Sequence, residues 1–417
     1  RGEYTLDSIE SSSYPLIYKV AAGGDFPLKA PIKTNKISVR AATRALSGMQ
    51  KECVLHYEST NTTWRMVCDE GPWLNGTDLA SFPLGFFTAG LVSSYMSEYL
   101  SHVKKEGIKL HSLEVMVDNV YTMEGSLIRG TMSSDALPVE VTFKANAEAD
   151  DETLQSLAYK AVASSPADVY LRAAKDSVFS LNMNDKQIPV TGVAISPSEQ
   201  TADPSAAFKQ ACPDDNDSFK DERMGKLANV DSLGGEILGT ERATGKVGLS
   251  DVQKRKVHVR GVGTLRSDGL KDIHVACFQP IGSVFRFLSD DSELVGGQGR
   301  APSGLAYFSA GLSFCFMTQL GRYAAVVKQK MNSYQVVQDM TFSLPSVDDE
   351  SESAAVDTHV FIGTEEDAAA TQKLLDMGEQ TCYLHAACRS AIKTRIRFRK
   401  AEQADIDKNI PQLAGAA

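Results

Sequence analysis

The chain has 417 residues, 42% of them hydrophobic and 23% charged, a globular composition that excludes bulk disorder. Its 43 Lys and Arg against 53 Asp and Glu give a net charge of −10, which disfavours nucleic-acid binding, because neutralising phosphates needs a basic surface. The longest apolar runs, near 82–92 and 305–317, fall well short of the ~20 residues that span a bilayer.

In chain order, residues 1–35 read as an N-terminal extension. Alternating runs at Lys36–Arg40, Cys53–Tyr57 and Trp64–Val67 predict strands of a half-buried antiparallel sheet. A long helix follows over 82–105, apolar on several faces and hence central, with the stop signal Lys104-Lys105-Glu106-Gly107. Strands over 111–118 and 139–146 and a second helix near 151–164 complete a first unit, 36–180. Residues 181–255, rich in Ser, Asp, Gly and Pro, read as a linker with one short helix near 218–228. The order then recurs over 256–400: a long helix over 304–330, strands over 333–343 and 357–363, a helix over 365–381, and a tail 401–417.

The recurrence is a duplication at a constant offset of 221. Trp64-Arg65-Met66-Val67-Cys68-Asp69-Glu70 faces Phe285-Arg286-Phe287-Leu288-Ser289-Asp290-Asp291. Asn75-Gly76 faces Gly296-Gly297, and Pro83-Leu84-Gly85-Phe86-Phe87-Thr88-Ala89-Gly90-Leu91 faces Gly304-Leu305-Ala306-Tyr307-Phe308-Ser309-Ala310-Gly311-Leu312. Each copy reads as an α+β unit, a sheet wrapped on two helices.

The seven cysteines are Cys53, Cys68, Cys212, Cys277, Cys315, Cys382 and Cys388, an odd number with no C-x-x-C spacing. Neither a secreted disulfide framework nor a zinc site is expected, and no metal or cofactor; the reading is a cytoplasmic protein with reduced thiols and no membrane partner. The copies differ at two thiol positions. Ser94 stands opposite Cys315, and Cys382 faces Ser164 or Ser165. One half carries a thiol pair and the other serines, the pattern of a working site beside a scaffold half. Cys53, Cys68 and Cys277 lie in strand-like runs and read as small core residues, as does Cys388.

The run Gly296-Gly297, Ala301-Pro302-Ser303-Gly304-Leu305 and Ala310-Gly311-Leu312-Ser313-Phe314-Cys315-Phe316-Met317-Thr318 resembles the OsmC/Ohr family, whose Ala-rich helix leads to a reactive Cys with Met-Thr after it. Members are obligate dimers whose sheets wrap a shared helical core. The resemblance therefore implies an intramolecular pseudo-dimer of two OsmC-like domains, as a monomer or weak homodimer. It implies thiol-based reduction of organic hydroperoxides, Cys315 attacking and Cys382 resolving, with a small hydrophobic substrate and a dithiol reductant. It further implies an activating Arg from an N-terminal strand region, held by a Glu. Arg44 and Arg266 are the nearest counterparts, with Arg40 and Arg260 as rivals. The helix start Leu305-Ala306-Tyr307 carries no carboxylate, and the nearest acids in sequence are Asp290, Asp291 and Glu293. His385, three residues past Cys382, motivates an alternative: a hydrolase with a Cys nucleophile and His385 as base. A binding protein that has lost turnover is the third reading.

Overall fold

The computed structural model describes residues 8–21, 26–215, 217–219, 222–227, 253–292, 296–343 and 354–401. Glu293 and the tail beyond 401 lie outside the described residues.

The two long helices, Pro83–Lys105 and Gly304–Val327, start where their sequences put a stop to extended chain. Pro83 occupies the first helical turn, and the Ser303 side chain caps the other helix by accepting from the Ala306 N–H. The second helix ends at Val327 rather than at 330, because Lys328 turns left-handed with φ 58°. Both helices are buried on all sides over most of their length, as their apolar composition requires. They pack on each other at backbone range. A Cβ on Gly90 would lie 2.5 Å from the Phe308 nitrogen, and one on Gly311 would lie 2.6 Å from that of Phe87. Only glycine permits that approach.

Two sheets flank this helical pair, and each is built from both halves. In the first, Thr62–Cys68, Lys51–Tyr57 and Lys36–Ala45 are followed by Met331–Ser343 and Asp357–Thr364. In the second, Ile281–Ser289, Lys271–Gln279 and Gln253–Leu265 are followed by Leu110–Gly125 and Glu140–Ala147. The fold is α+β, and the halves interleave as a dimer would. Gly304–Val327 lies on the first sheet and Pro83–Lys105 on the second. The smaller helices Asp151–Ser164 and Ala368–Thr381 pack on the long helices, each started by an Asp cap.

The segment between the copies has more structure than its composition suggests. Val178–Met183 joins the first sheet, parallel to Asp357–Thr364, just as Arg395–Lys400 joins the second parallel to Glu140–Ala147. A helix occupies Ser205–Gln210. Met224–Leu227, where a short helix was expected, is instead a strand paired with Ile281–Ser289; it mirrors Ile17–Lys19, which pairs with Thr62–Cys68. Four residues of weak propensity take their state from the open sheet edge beside them. No helix among the described residues is long and apolar enough to cross a membrane.

Candidate functional site

Cys315 sits in the middle of Gly304–Val327, and Cys382 at the extended junction between Ala368–Thr381 and the short helix Tyr383–Arg389. Both are buried, and Cys315 lies close enough to act on the Cys382 thiol. Burial pushes the Cys382 thiol well above its ordinary value, and the neighbouring Cys315 pushes it the same way. Cys315 alone of the two lines a cavity of about 20 Å³, room for a single water.

The serine half repeats the geometry without sulfur. Ser94 Oγ lies 2.8 Å from Ser165 Oγ, which resolves the choice between Ser164 and Ser165. Ser164 instead bonds Glu98 at 2.8 Å and His102 at 3.0 Å.

The cavity lies between the halves. The first half contributes Glu70, Trp73, Leu74 and Phe82–Leu84; the second contributes Val257, Cys277, Cys315, Thr318, Gln319 and Tyr383. Glu70 of the other copy thus places a carboxylate beside the Cys315 helix. Thr318 Oγ1, one turn after Cys315, donates to Glu70 Oε1 at 2.7 Å, and the buried Lys51 Nζ lies 3.9 Å from the same oxygen. Burial raises the Glu70 carboxyl against the lowering effect of Lys51 and Thr318. The Asn75-Gly76 turn fixes it, since a Cβ on Gly76 would lie 1.8 Å from the Glu70 carbonyl oxygen. Asp69 locks the same turn by accepting from the backbone of Glu70, Thr77 and Leu79. In the serine half Asp291 takes the equivalent place, accepting from Ser97 at 2.6 Å and paired with Lys271 at 2.7 Å.

The expected arginines lie elsewhere. Val39, Ala41 and Thr43 turn inward, Thr43 to Ser313 at 2.7 Å, so strand alternation sends Arg40 and Arg44 to the outer face. Arg44 is paired with Glu52 at 2.7 Å and lies over the Phe208 ring, while Arg40 is paired with Asp339 at 2.6 Å. Alternation likewise takes Arg260 outward to Asp118, at 2.8 Å, and Arg266 is paired with Asp268 at 2.9 Å in the following turn. None of the four lines the Cys315 cavity.

Cations near the site include Lys51 and Arg322, both of which act on Glu70. Arg322 lies two turns after Cys315 on the same helix; its Nη1 contacts Gln319 at 3.3 Å, while the buried Nη2 has no hydrogen-bond partner. Burial pulls Arg322 down to about 10. Helical spacing from Cys315 through Thr318 and Gln319 to Arg322 is the sequence signal that would have found it.

His385 turns away from the thiols. Its ring stacks on Phe316 at 5.0 Å, its Nε2 faces the Gln338 amide at 3.3 Å, and its Nδ1 has no partner. Burial pulls it down to about 3, so the ring is neutral. It makes no contact that would let it deprotonate a cysteine, and the hydrolase alternative loses its base.

Residues 297–397 match the family model described as OsmC-like protein. The second half carries an OsmC-like domain. Both Cys315 and Cys382 fall inside this OsmC-like stretch. The chain is also similar to a crystal structure of an OsmC-like hydroperoxide resistance protein from Jannaschia sp. CCS1, at 18% identity over 37% of this chain and 98% of that one, with a TM-score of 0.24. No curated protein matches the chain.

Proposed function

We propose that the protein reduces organic hydroperoxides with Cys315 as the attacking thiol and Cys382 as the resolving one. The observation that carries this reading is a pair of neighbouring buried thiols, one of which lines a cavity beside a buried carboxylate. Cys315 loses its proton to Glu70, whose raised pKa suits it to hold one. The Cys315 thiolate attacks the hydroperoxide oxygen, an S–O bond forms and the O–O bond breaks. The alkoxide leaves as alcohol, taking the proton back from Glu70, and Cys315 is left as a sulfenic acid. Cys382 then attacks the Cys315 sulfur; the S–S bond forms and the sulfenic oxygen departs as water with the Cys382 proton. An external dithiol restores the pair. Lys51 and the free Nη2 of Arg322 supply the positive charge that favours the thiolate.

The apolar walls, from Trp73, Leu74, Phe82, Leu84 and Val257, favour a hydrophobic substrate. A cavity of about 20 Å³ does not hold one, so binding requires the cavity to widen. The test is a free-thiol count on the reduced protein after one equivalent of cumene hydroperoxide. Loss of two thiols is expected, loss of none in Cys315→Ser, and loss of one in Cys382→Ser. An unchanged count in the parent would reject the reading.

A further inference from the structure

Tyr121 lies on Leu110–Gly125, a strand of the first half, yet packs on Tyr383 of the second, the residue after Cys382. It pairs with Val257, and its ring is 5.6 Å from that of Tyr383; both neighbours line the Cys315 cavity. The side chain is 2% exposed, and its hydroxyl has no hydrogen-bond partner. It lies close enough to Cys315, Cys388 and Cys382 for their charges to act on it. A buried hydroxyl without a partner destabilises the fold, and a phenylalanine would avoid that cost. The duplication supplies the comparison. At the constant offset Tyr121 faces Phe342, which pairs with Ile37 as Tyr121 pairs with Val257 and packs on Tyr170, in the helix that Ser165 caps. The hydroxyl is present where the thiols are and absent where the serines are.

We propose that the Tyr121 hydroxyl is a catalytic hydrogen-bond donor that receives the oxygen transferred to Cys315 and holds it until it leaves as water. This rests on the peroxide-reduction reading. The reduced site offers the hydroxyl no acceptor; the sulfenic acid creates one beside it. When Cys382 attacks, the S–O electrons withdraw onto the oxygen, and the donated hydrogen bond stabilises the charge that develops there. The departing oxygen takes its proton from Cys382, so Tyr121 donates a hydrogen bond but transfers no proton. Burial raises the phenol well above its ordinary value and keeps it a donor at every working pH.

Rapid mixing with one equivalent of cumene hydroperoxide, quenched with dimedone, separates sulfenic acid formation from disulfide formation. In Tyr121→Phe the first step should keep the parent rate, while disulfide formation slows about tenfold and dimedone-labelled Cys315 accumulates. The reduced variant should melt no lower than the parent, which a merely structural hydroxyl would not allow. Tyr121→Met, which also lacks the hydroxyl, should give the same kinetic pattern. Disulfide formation at the parent rate in both variants, or equal slowing of both steps, overturns the proposal with peroxide reduction intact. A parent that forms neither sulfenic acid nor disulfide overturns both.

Discussion

At the scale of single residues, the site depends on what burial does to each titratable group. Glu70 and His385 are both pushed toward their neutral forms, but only Glu70 shares a wall with a thiol. Glu70→Gln keeps the shape and the acceptor for Thr318 but removes the base. It should slow Cys315 oxidation by roughly 10²-fold, measured as the rate of thiol loss, with little change in the product. His385 makes the opposite prediction, on stability rather than activity. Its folded pKa, about 3, lies below the ordinary 6.5, so the unfolded chain takes up a proton that the folded one refuses. The stability of a neutral ring is fully present above pH ~6.5 and is lost as pH falls toward ~3, at up to about 1.4 kcal/mol per pH unit. His385→Phe should flatten the acid limb of a denaturation profile in that window and leave peroxide reduction alone. The sequence singles out Cys315 and Cys382 as candidates because the repeat sets them against Ser94 and against Ser164 or Ser165. The cations near the site, Lys51 and Arg322, were not legible there, because neither lies at a strand position that the resemblance points to. Thr43 and Ala41 turn inward, which already excludes Arg44 and Arg40.

At the scale of elements, the Asn75-Gly76 and Gly296-Gly297 turns explain why the repeat keeps an acidic residue and a glycine at fixed spacing. Each glycine packs under the carbonyl of the acid that its half contributes to the opposite half's site. The sequence frame contained Glu70, but a carboxylate supplied across the halves is invisible to a search confined to the helix carrying Cys315. Gly76→Ala must displace the turn, since its Cβ would lie 1.8 Å from the Glu70 carbonyl oxygen. It should lower stability by about 1–3 kcal/mol and slow Cys315 oxidation about as much as Glu70→Gln. Gly297→Ala, with its Cβ 1.9 Å from the Asp291 carbonyl oxygen, should cost similar stability by thermal denaturation and leave the thiol chemistry unchanged. The long helices and Asp151–Ser164 were readable from periodicity and caps. The strand Met224–Leu227 was not, because a four-residue strand owes its state to Ile281–Ser289 rather than to its own composition.

At the scale of the whole molecule, neither half is a separable domain. Lys36–Ala45 finds its neighbour in Met331–Ser343, and Leu110–Gly125 in Gln253–Leu265, so each half alone would expose two long strand edges. A fragment of residues 36–180 should therefore form dimers or larger species by light scattering, and a folded monomer of that fragment would contradict the interleaving. The same interleaving brings Glu70 and Tyr121 of the first half to the cysteines of the second. The site that holds the cysteines thus draws on both halves, while the matching positions in the other half are serines. The central claim is that Cys315 and Cys382 form the redox pair. Peptide mapping by mass spectrometry after oxidation with one equivalent of cumene hydroperoxide tests it most directly: a Cys315–Cys382 disulfide with the other five cysteines reduced is the predicted result, and a bridge through Cys388 or Cys277, or no bridge at all, would contradict it.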